Sequence, residues 1–409
     1  MKKAVLKKYA HLIAKVGANV QKDQDVIIYA SVDQELLVSY VMEECYKLGA
    51  RLVRIEWDSD ICTKVTYKKA KTKVLGTVPE WRIEKQKHFN KTLPATIYLA
   101  SEDPDGLKGV NQMKMAQVAK MVYPIMKPLR EESENKHQWT IAGASSPAWA
   151  KKVFPELPKR KAVEKLWEAI LMTSRADGDD PVKAWDEHNK NLEKHTDFLN
   201  HLNLDYLEYK SSNGTNFKVW LNERVKWEAG GEITLGSQVF FNPNIPTEEC
   251  FTSPIKGKAE GVVVASKPLS YQGQLIENFS IRFENGKAVE VHAEKNEGLL
   301  KEMINMDEGA PYLGEVALVP YDSPINKTGI LFYNTLYDEN AACHLALGMG
   351  FTNLVKGYEN YTQKELHEMG VNDSSIHVDF MIGSKDMSIV GVTRKGERVQ
   401  IFKDGNWAI

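Results

Sequence analysis

The sequence has few of the features that mark secreted, membrane-bound or nucleic-acid-binding proteins. Only four of its 409 residues are cysteine, and no two have CxxC spacing, so neither a zinc ribbon nor a disulfide framework is indicated. No run of about 18 apolar residues occurs, so no membrane-spanning helix is predicted. The formal net charge is −2, so no broad basic face for nucleic acid is expected. These absences favour a reduced, cytoplasmic compartment.

Internal repeats, low-complexity tracts and the glycine fingerprint of dinucleotide-binding folds are also missing. No G-x-G-x-x-G follows the first apolar strand, "DVIIYA", so a dehydrogenase is disfavoured. In the opening "MKKAVLKKYAHLIAKVGANV", charged and histidine side chains interrupt the apolar residues, unlike a secretory signal. The apolar residues of that stretch recur at helical spacing and predict an amphipathic first helix.

The first half of the sequence alternates short apolar strands with helices. The predicted strands are 25–30, 51–57, 96–100 and 139–143. This alternation is typical of a parallel sheet covered on both faces. From about residue 205 hairpins with Asn-Gly turns follow, such as "FSIRFENGKAVEVHAE". We therefore expect an α/β protein with two domains: a mostly parallel sheet flanked by helices at 1–203, and an α+β domain rich in antiparallel hairpins, carrying the functional site, at 204–409.

Acidic and imidazole side chains occupy apolar settings in the second half. Glu315 heads the apolar strand "GEVALVP", where burial of an unpaired anion would be costly. His377 and Asp379 stand two apart on the predicted strand "HVDFMIGS" and therefore project from the same face. In "LYDENAACHLALG" a helix is predicted to carry His344, with Glu339 near its amino end.

A further acidic pair, Glu248 and Glu249, lies among apolar residues in the proline-bounded segment "PNIPTEECFTSP". Each of these features has an ordinary explanation by itself: a helix cap, a hydrogen-bonded pair on a strand, or a solvated acidic pair. Their concentration within one domain favours a metal site. Mixed Glu, Asp and His donors suit Zn²⁺, Mn²⁺ or Co²⁺, and such a set holds two ions more readily than one.

In the order and spacing of "NIPTEECFTSP", "GEVALVP", "LYDENAACHLALG" and "HVDFMIGS", the sequence resembles the aminopeptidase T family of dinuclear metallo-aminopeptidases, which includes the aminopeptidase S type. The resemblance covers essentially the whole chain. Carried over position by position, it implies that two divalent ions (Zn, Co, Mn or Mg) are held by Glu249, Glu315, Glu339, His344, His377 and Asp379. Between the adjacent carboxylates we favour Glu249 as the ligand, and Glu248 is our candidate for the general base.

The resemblance also implies an activity and an assembly. The expected reaction is release of amino-terminal residues from peptides, with broad specificity, by a metal-activated water at a two-metal site. Glu315 is the expected bridging carboxylate, and a homodimer is the expected assembly. Neither nucleic acid nor a membrane is an expected partner.

One position departs from the family pattern. Seven residues after the metal-binding histidine the family has a tyrosine, whereas this sequence has Phe351, which has no oxygen for a metal or an oxyanion. This keeps open a second hypothesis, a metal-binding homologue with weak or lost peptidase activity that acts as a peptide-binding or scaffold protein. A third is a dinuclear hydrolase of phosphoesters or non-peptide amides, although the ligand motifs contain no Arg or Lys to grip phosphate.

Overall fold

The computed structural model describes residues 3–409, which divide by their internal contacts into two compact units. Unit 1 comprises residues 3–186 together with Gly231–Pro246, and unit 2 comprises Glu187–Gly230 and Thr247–Ile409. This division differs from the predicted domains, 1–203 and 204–409, at residues 187–203 and 231–246. The predicted boundaries stay a prediction about independently folding domains.

Helices alternate with short strands as far as residue 202. The described helices are α1 (Lys3–Leu12), α2 (Glu35–Lys47), α3 (Asp60–Lys69), α4 (Thr72–Leu75), α5 (Glu80–Thr92), α6 (Gln112–Glu131), α7 (Pro147–Val153), α8 (Lys159–Thr173) and α9 (Pro181–Leu202). A π-helical turn, Ile13–Gly17, continues α1 and a 3-10 turn, Val32–Gln34, precedes α2. The strands are β1 (Asp25–Ser31), β2 (Leu52–Asp58), β3 (Ala95–Ala100) and β4 (Trp139–Gly143).

Strands dominate the remainder of the chain. They are β5 (Leu204–Lys210), β6 (Asn216–Leu221), β7 (Glu228–Ala229), β8 (Glu232–Ile233), β9 (Phe240–Phe241), β10 (Asn244–Ile245), β11 (Cys250–Thr252), β12 (Pro254–Val264), β13 (Leu269–Tyr271), β14 (Gln274–Glu284), β15 (Lys287–Lys295), β16 (Leu313–Leu318), β17 (His344–Gly348), β18 (His377–Met381), β19 (Ser388–Thr393), β20 (Arg398–Lys403) and β21 (Asn406–Trp407). The helices are α10 (Glu297–Ile304), α11 (Pro324–Lys327), α12 (Thr335–Asp338) and α13 (Gln363–Glu368), and 3-10 turns span Glu339–Ala341, Thr352–Leu354 and Tyr358–Asn360.

Unit 1 is built around a five-stranded sheet with the order β10-β4-β3-β1-β2. All of its pairings are parallel. Parallel strands are covered on both faces, which is why they are continuous apolar runs; Ile28 of β1 and Ile97 of β3 are fully buried. The parallel sheet predicted for the amino-terminal half is confirmed.

Unit 2 contains two antiparallel sheets. The larger has nine strands in the order β13-β14-β12-β6-β5-β19-β20-β21, with β15 paired to β14. The predicted hairpin of β14 and β15 turns at Asn285 and Gly286, whose φ angles are +50° and +77°, as an Asn-Gly turn requires. The predicted α/β class with an antiparallel second half is therefore confirmed.

The smaller sheet of unit 2 has the order β18-β17-β16-β11-β7 and separates an apolar face from a face that carries acidic and imidazole side chains. Alternate residues of β16, β17 and β18 enter the hydrophobic core: Val316, Leu318, Leu345, Leu347, Val378 and Phe380. On the opposite face, Glu315 and Asp379 stand in register on either side of Ala346. The small alanine leaves room between the two carboxylates.

The prediction that a helix carries His344 is wrong. His344 is the first residue of β17, which pairs with β16 and β18, and the preceding helix α12 ends at Asp338. The strand is favoured because Leu345 and Leu347 alternate with small residues and fill the core on one face only. Acid and amide residues ahead of an alanine pair imitate a helix start, so tertiary pairing overrode local propensity.

Among the described residues, no helix combines the length and the apolar character needed to cross a bilayer.

Gly348, the last residue of β17, has a conformation and a packing environment that both require glycine. Its φ is +102°, and a Cβ there would lie 2.1 Å from the carbonyl oxygen of Ile376. Gly348→Ala is therefore expected to lower the free energy of unfolding by more than about 3 kcal/mol. In Gly396→Ala, the matched control, φ is +85° but no atom lies within 4 Å of the new Cβ, so only the strain of about 1–2 kcal/mol should appear. Urea unfolding of both variants measures the difference, and equal losses would contradict the close packing at Gly348.

Candidate metal centre

The smaller sheet of unit 2 brings together side chains that are far apart in the sequence. Glu315 lies within β16, His344 begins β17, and His377 and Asp379 both lie on β18. Glu249 immediately precedes β11, the neighbour of β16. Four of these five side chains are buried, and His377 is the most accessible, with 22% of its side chain exposed.

The five residues form two groups that share Glu315. In the first group, His344 Nε2 lies 3.1 Å from Glu249 Oε2 and 3.9 Å from Glu315 Oε1. In the second, His377 Nε2 lies 3.1 Å from Glu315 Oε2 and 3.2 Å from Asp379 Oδ1. Within each group the possible ligand atoms all lie within 4.8 Å of one another. The two oxygens of Glu315 therefore face different groups.

Backbone carbonyl groups determine which nitrogen of each imidazole is available. His344 Nδ1 lies 3.1 Å from the carbonyl oxygen of Ala342, and His377 Nδ1 lies 2.8 Å from that of Met349. A carbonyl only accepts, so Nδ1 of each ring is the donor. The Nε2 atoms, which point at the carboxylates, are then left with a lone pair when the rings are neutral. This is the arrangement in which proteins present histidine to a metal.

The electrostatics of the cluster favour an added cation. Burial raises the pKa of Glu315 to about 7; the hydrogen bond from His377 opposes this rise, and the charges of Asp379 and Glu249 add to it. Burial alone would lower the pKa of His344, but Glu249 beside it raises that pKa to about 9. Burial alone would raise the pKa of Asp379, but the adjacent His377 lowers that pKa to about 2. The buried carboxylates therefore stabilise any positive charge beside them, whether it is a protonated histidine or a cation.

Two buried carboxylate oxygens of the cluster are placed as metal ligands would be, because neither accepts a hydrogen bond of suitable geometry. Glu249 Oε2 and Asp379 Oδ1 are buried and lack a hydrogen bond of suitable geometry. Each lies close to a histidine Nε2, at 3.1 and 3.2 Å, but a buried charged oxygen that accepts no well-aligned hydrogen bond is destabilising unless a cation lies beside it. Carboxylate and imidazole donors together match Zn²⁺, Co²⁺ or Mn²⁺. The residues present therefore fit divalent metal ions.

Glu339 lies beside these groups but belongs to neither. It opens the 3-10 turn Glu339–Ala341, is partly buried, and is hydrogen-bonded to Asp379. Burial and the negative charge of Asp379 raise its pKa well above the usual value. Glu339 would have to lose the proton of this hydrogen bond before it could bind a metal, because only the ionised carboxylate is a ligand.

Glu248 is buried as well, so the acidic pair is not a solvated loop feature. Its carboxylate Oε2 lies 4.0 Å from Nε2 of His188, and its backbone N–H donates to Oδ1 of Asn340 at 2.7 Å. Glu248 is in neither ligand group. The structure thus sets apart the two adjacent carboxylates, with Glu249 against His344 and Glu248 against His188.

Phe351, at the position of the family tyrosine, lies next to His377. Their ring centroids are 5.0 Å apart, and Phe351 also makes an edge-on contact with Phe251 at 5.4 Å. Its backbone N–H donates to Ser253 Oγ at 2.7 Å. The most accessible histidine of the cluster is therefore flanked by an apolar ring.

Sequence reasoning missed two residues around the cluster. Neither His188 nor Asn340 is among the predicted site residues, yet both bond to the peptide group between Thr247 and Glu248. The signal available for Asn340 was its place inside the motif "DENAACH". His188 lies on a polar helix 59 residues before Thr247, the residue it contacts, so nothing local in the sequence indicates its contact.

Comparison with known proteins gives one consistent result. The model of the family described as Thermophilic metalloprotease (M29) matches residues 2–407. The chain is 42% identical over 404 residues to Aminopeptidase AmpS of Bacillus subtilis, with 98% of both chains covered. It is 40% identical over 404 residues to Aminopeptidase 2 of Geobacillus stearothermophilus, covering 98% of this chain and 97% of that one. The solved structure of wild-type AmpT from Thermus thermophilus matches the whole of both chains, with a TM-score of 0.91 and 38% identity.

Fold, sequence and relatives together define the class of protein as a metallo-aminopeptidase, a hydrolase. The chain belongs to the M29 family of thermophilic metalloproteases. The resemblance inferred from the four motifs is thereby confirmed.

The geometry predicts how metal content responds to loss of a ligand. His377→Ala and Asp379→Ala should each lower the bound metal by about one equivalent per chain, because both remove a donor from the second group, which Glu315, His377 and Asp379 form. The measurement is elemental analysis of protein purified without chelators. His292→Ala is the matched control, since that histidine is exposed and pairs with Glu290. Unchanged metal content in both site variants would remove these residues from the metal centre.

Proposed function

We propose that this metallo-aminopeptidase releases amino-terminal residues from peptides with broad specificity, at a centre that holds two divalent ions. The proposed ligands are Glu249, Glu315, Glu339, His344, His377 and Asp379. The observation that carries the proposal is the arrangement of Glu315, whose two oxygens face two separate groups of donors. A carboxylate so placed suits the bridging position of a two-metal site.

The donor set bears on the choice of metal. Carboxylates outnumber imidazoles, which suits Zn²⁺, Co²⁺, Mn²⁺ or Mg²⁺ and gives no reason to prefer soft metals. When bound, such ions supply Lewis-acid polarisation of the scissile carbonyl and lower the pKa of a water molecule toward neutrality. Burial of the donors strengthens these electrostatic effects, because little water screens them.

The chain's own residues orient the donors and move the proton. The carbonyl oxygens of Ala342 and Met349 hold the His344 and His377 rings with Nε2 toward the carboxylates. Glu248 is proposed to accept a proton from the attacking water and to return it to the leaving amine. In support, Glu248 is buried, is adjacent to Glu249, and has its backbone hydrogen-bonded to Asn340.

Phe351 favours a second candidate function, a metal-binding homologue with weak peptidase activity that acts by binding peptides. The observation behind it is the contact of Phe351 with His377, which puts a ring without a polar atom where the family has a phenol. If that phenol stabilises an oxyanion in other members, its absence would lower turnover and leave metal binding intact.

We further propose a cytoplasmic homodimer whose partners are peptides. The four cysteines are free, which agrees with a reducing compartment. The near-neutral net charge gives no support to a nucleic-acid partner.

The activity is tested directly with leucine p-nitroanilide. Metal-loaded protein should release p-nitroaniline, and removal of metal with EDTA should abolish the release because the Lewis acid is lost. Addition of Co²⁺ or Mn²⁺ should restore it. An amino-terminally acetylated substrate is the control, since an exopeptidase of this kind requires a free amine. Cleavage of both substrates, or of neither in the metal-loaded protein, would contradict the proposed activity.

Phe351→Tyr separates the two candidate functions. If the missing phenol limits catalysis, kcat should rise by about tenfold or more, while metal content stays unchanged. Phe251→Tyr is the matched control, because it adds a hydroxyl to the ring in contact with Phe351. The readout is kcat for leucine p-nitroanilide at saturating metal. Equal kcat values for Phe351→Tyr and wild type would show that another group already fills the role of the family tyrosine.

A further inference from the structure

Two buried side chains hold a single peptide group next to the metal centre. The carbonyl oxygen of Thr247 lies 2.7 Å from Nε2 of His188, and the N–H of Glu248 donates to Oδ1 of Asn340 at 2.7 Å. This carbonyl and this N–H belong to the same peptide bond, the one that joins Thr247 to Glu248. Because a carbonyl only accepts, His188 must carry its proton on Nε2.

The two side chains come from distant parts of unit 2. His188 lies on α9, 59 residues before Thr247, and Asn340 lies in the 3-10 turn, 92 residues after Glu248. His188 is 9% exposed and Asn340 is fully buried. Water therefore does not compete for these bonds, and loss of either partner leaves a buried polar group of the peptide unsatisfied.

Asn340 uses both ends of its amide. Besides accepting from Glu248, it donates from Nδ2 to the carbonyl oxygen of Leu336 at 3.0 Å and to Glu339 Oε1 at 3.4 Å. The backbone carbonyl oxygen of Asn340 accepts a hydrogen bond from Ser323 Oγ at 2.8 Å. The amide orientation is therefore determined, and one residue links the backbone at Glu248 to the side chain of Glu339.

The peptide held in this way controls where the adjacent acids point. Residues 247–249 lie outside any strand, between β10 and β11, so no ladder of hydrogen bonds orients them. A peptide unit is planar, and fixing both its oxygen and its N–H leaves it no freedom to rotate. That determines the direction in which the chain enters Glu248 and, one residue later, Glu249 beside His344.

We propose that His188 and Asn340 are positioning residues of the metal centre, which orient Glu249 as a ligand through the peptide bond between Thr247 and Glu248. The proposal rests on the proposed function, because it takes Glu249 to be a ligand. Side chains that orient metal ligands from outside the coordination sphere are worth about 10- to 100-fold in metal affinity.

The experiment compares two amides at position 188. His188→Gln places an amide nitrogen near the position of Nε2 and keeps a donor for the Thr247 carbonyl. His188→Asn is shorter and loses that donor, although its polarity is similar. Titration calorimetry with Mn²⁺ on metal-stripped protein should give affinity within about threefold of wild type for His188→Gln, and affinity about 10- to 100-fold lower for His188→Asn.

The other side of the peptide is tested with Asn340→Leu, for which a similar loss of Mn²⁺ affinity is expected. The matched control is Asn222→Leu. Asn222 is also buried; it accepts from the backbone N–H of Arg224 and donates to the carbonyl oxygen of Met369. Thermal unfolding of the stripped proteins reports stability separately. The control should lose stability and keep wild-type Mn²⁺ affinity.

Each outcome bears on the proposal. Equal Mn²⁺ affinity in His188→Gln and His188→Asn would overturn it, as would an affinity loss in Asn222→Leu as large as that in Asn340→Leu. If Asn340→Leu fails to fold, the comparison at position 188 decides alone. If wild-type protein binds no Mn²⁺ and cleaves no leucine p-nitroanilide, the proposed function is contradicted. If wild-type protein binds Mn²⁺ and the variants at positions 188 and 340 bind it with the same affinity, only the positioning role is contradicted.

Discussion

The structure depends on the burial of several carboxylates within one small region of unit 2. Glu249, Glu315 and Asp379 are each no more than 6% exposed and lie around two imidazoles. Desolvation of such acids costs far more than burial of apolar side chains contributes at the same positions. Two pKa values show this cost: burial raises that of Glu315 to about 7, and the adjacent Glu249 raises that of His344 to about 9. Bound divalent cations would offset this cost, which agrees with the description of the family as metalloproteases.

The sheet that carries these acids also contributes the apolar burial that offsets the cost of desolvating them. Its apolar face contributes Val316, Leu345 and Phe380 to the main hydrophobic core of unit 2. On the other face, small side chains separate the charged ones, with Ala346 in register between Glu315 and Asp379. A rigid antiparallel sheet holds donors more precisely than a loop does. Glu249 lies outside the strands, and side-chain hydrogen bonds from His188 and Asn340 hold the peptide bond just before it instead.

Phe351 lies beside the candidate metal centre without taking part in the contacts that orient its histidines. The ring contacts His377, the most accessible donor, and packs against Phe251 at the edge of a small apolar cluster. None of the hydrogen bonds that orient the two histidines involves the Phe351 side chain. The orientation of the two imidazoles therefore does not depend on the residue at position 351.

Much of the fold and most of the candidate site could be read from the sequence. Apolar runs such as "DVIIYA" predicted buried parallel strands, and the Asn285-Gly286 turn predicted its hairpin, because these signals are local. The pair His377 and Asp379 was correctly placed on one strand face by spacing alone. Where local signals conflicted, prediction failed: the segment ahead of His344 has the composition of a helix start, but pairing with β16 and β18 made His344 the start of a strand. The sequence by itself thus determined the fold class and the chemical types of the donors. Only the tertiary structure decided that Glu315 faces both groups and that His188 and Asn340 hold one peptide between them. These relations join residues 29 or more positions apart, through contacts that no local pattern encodes.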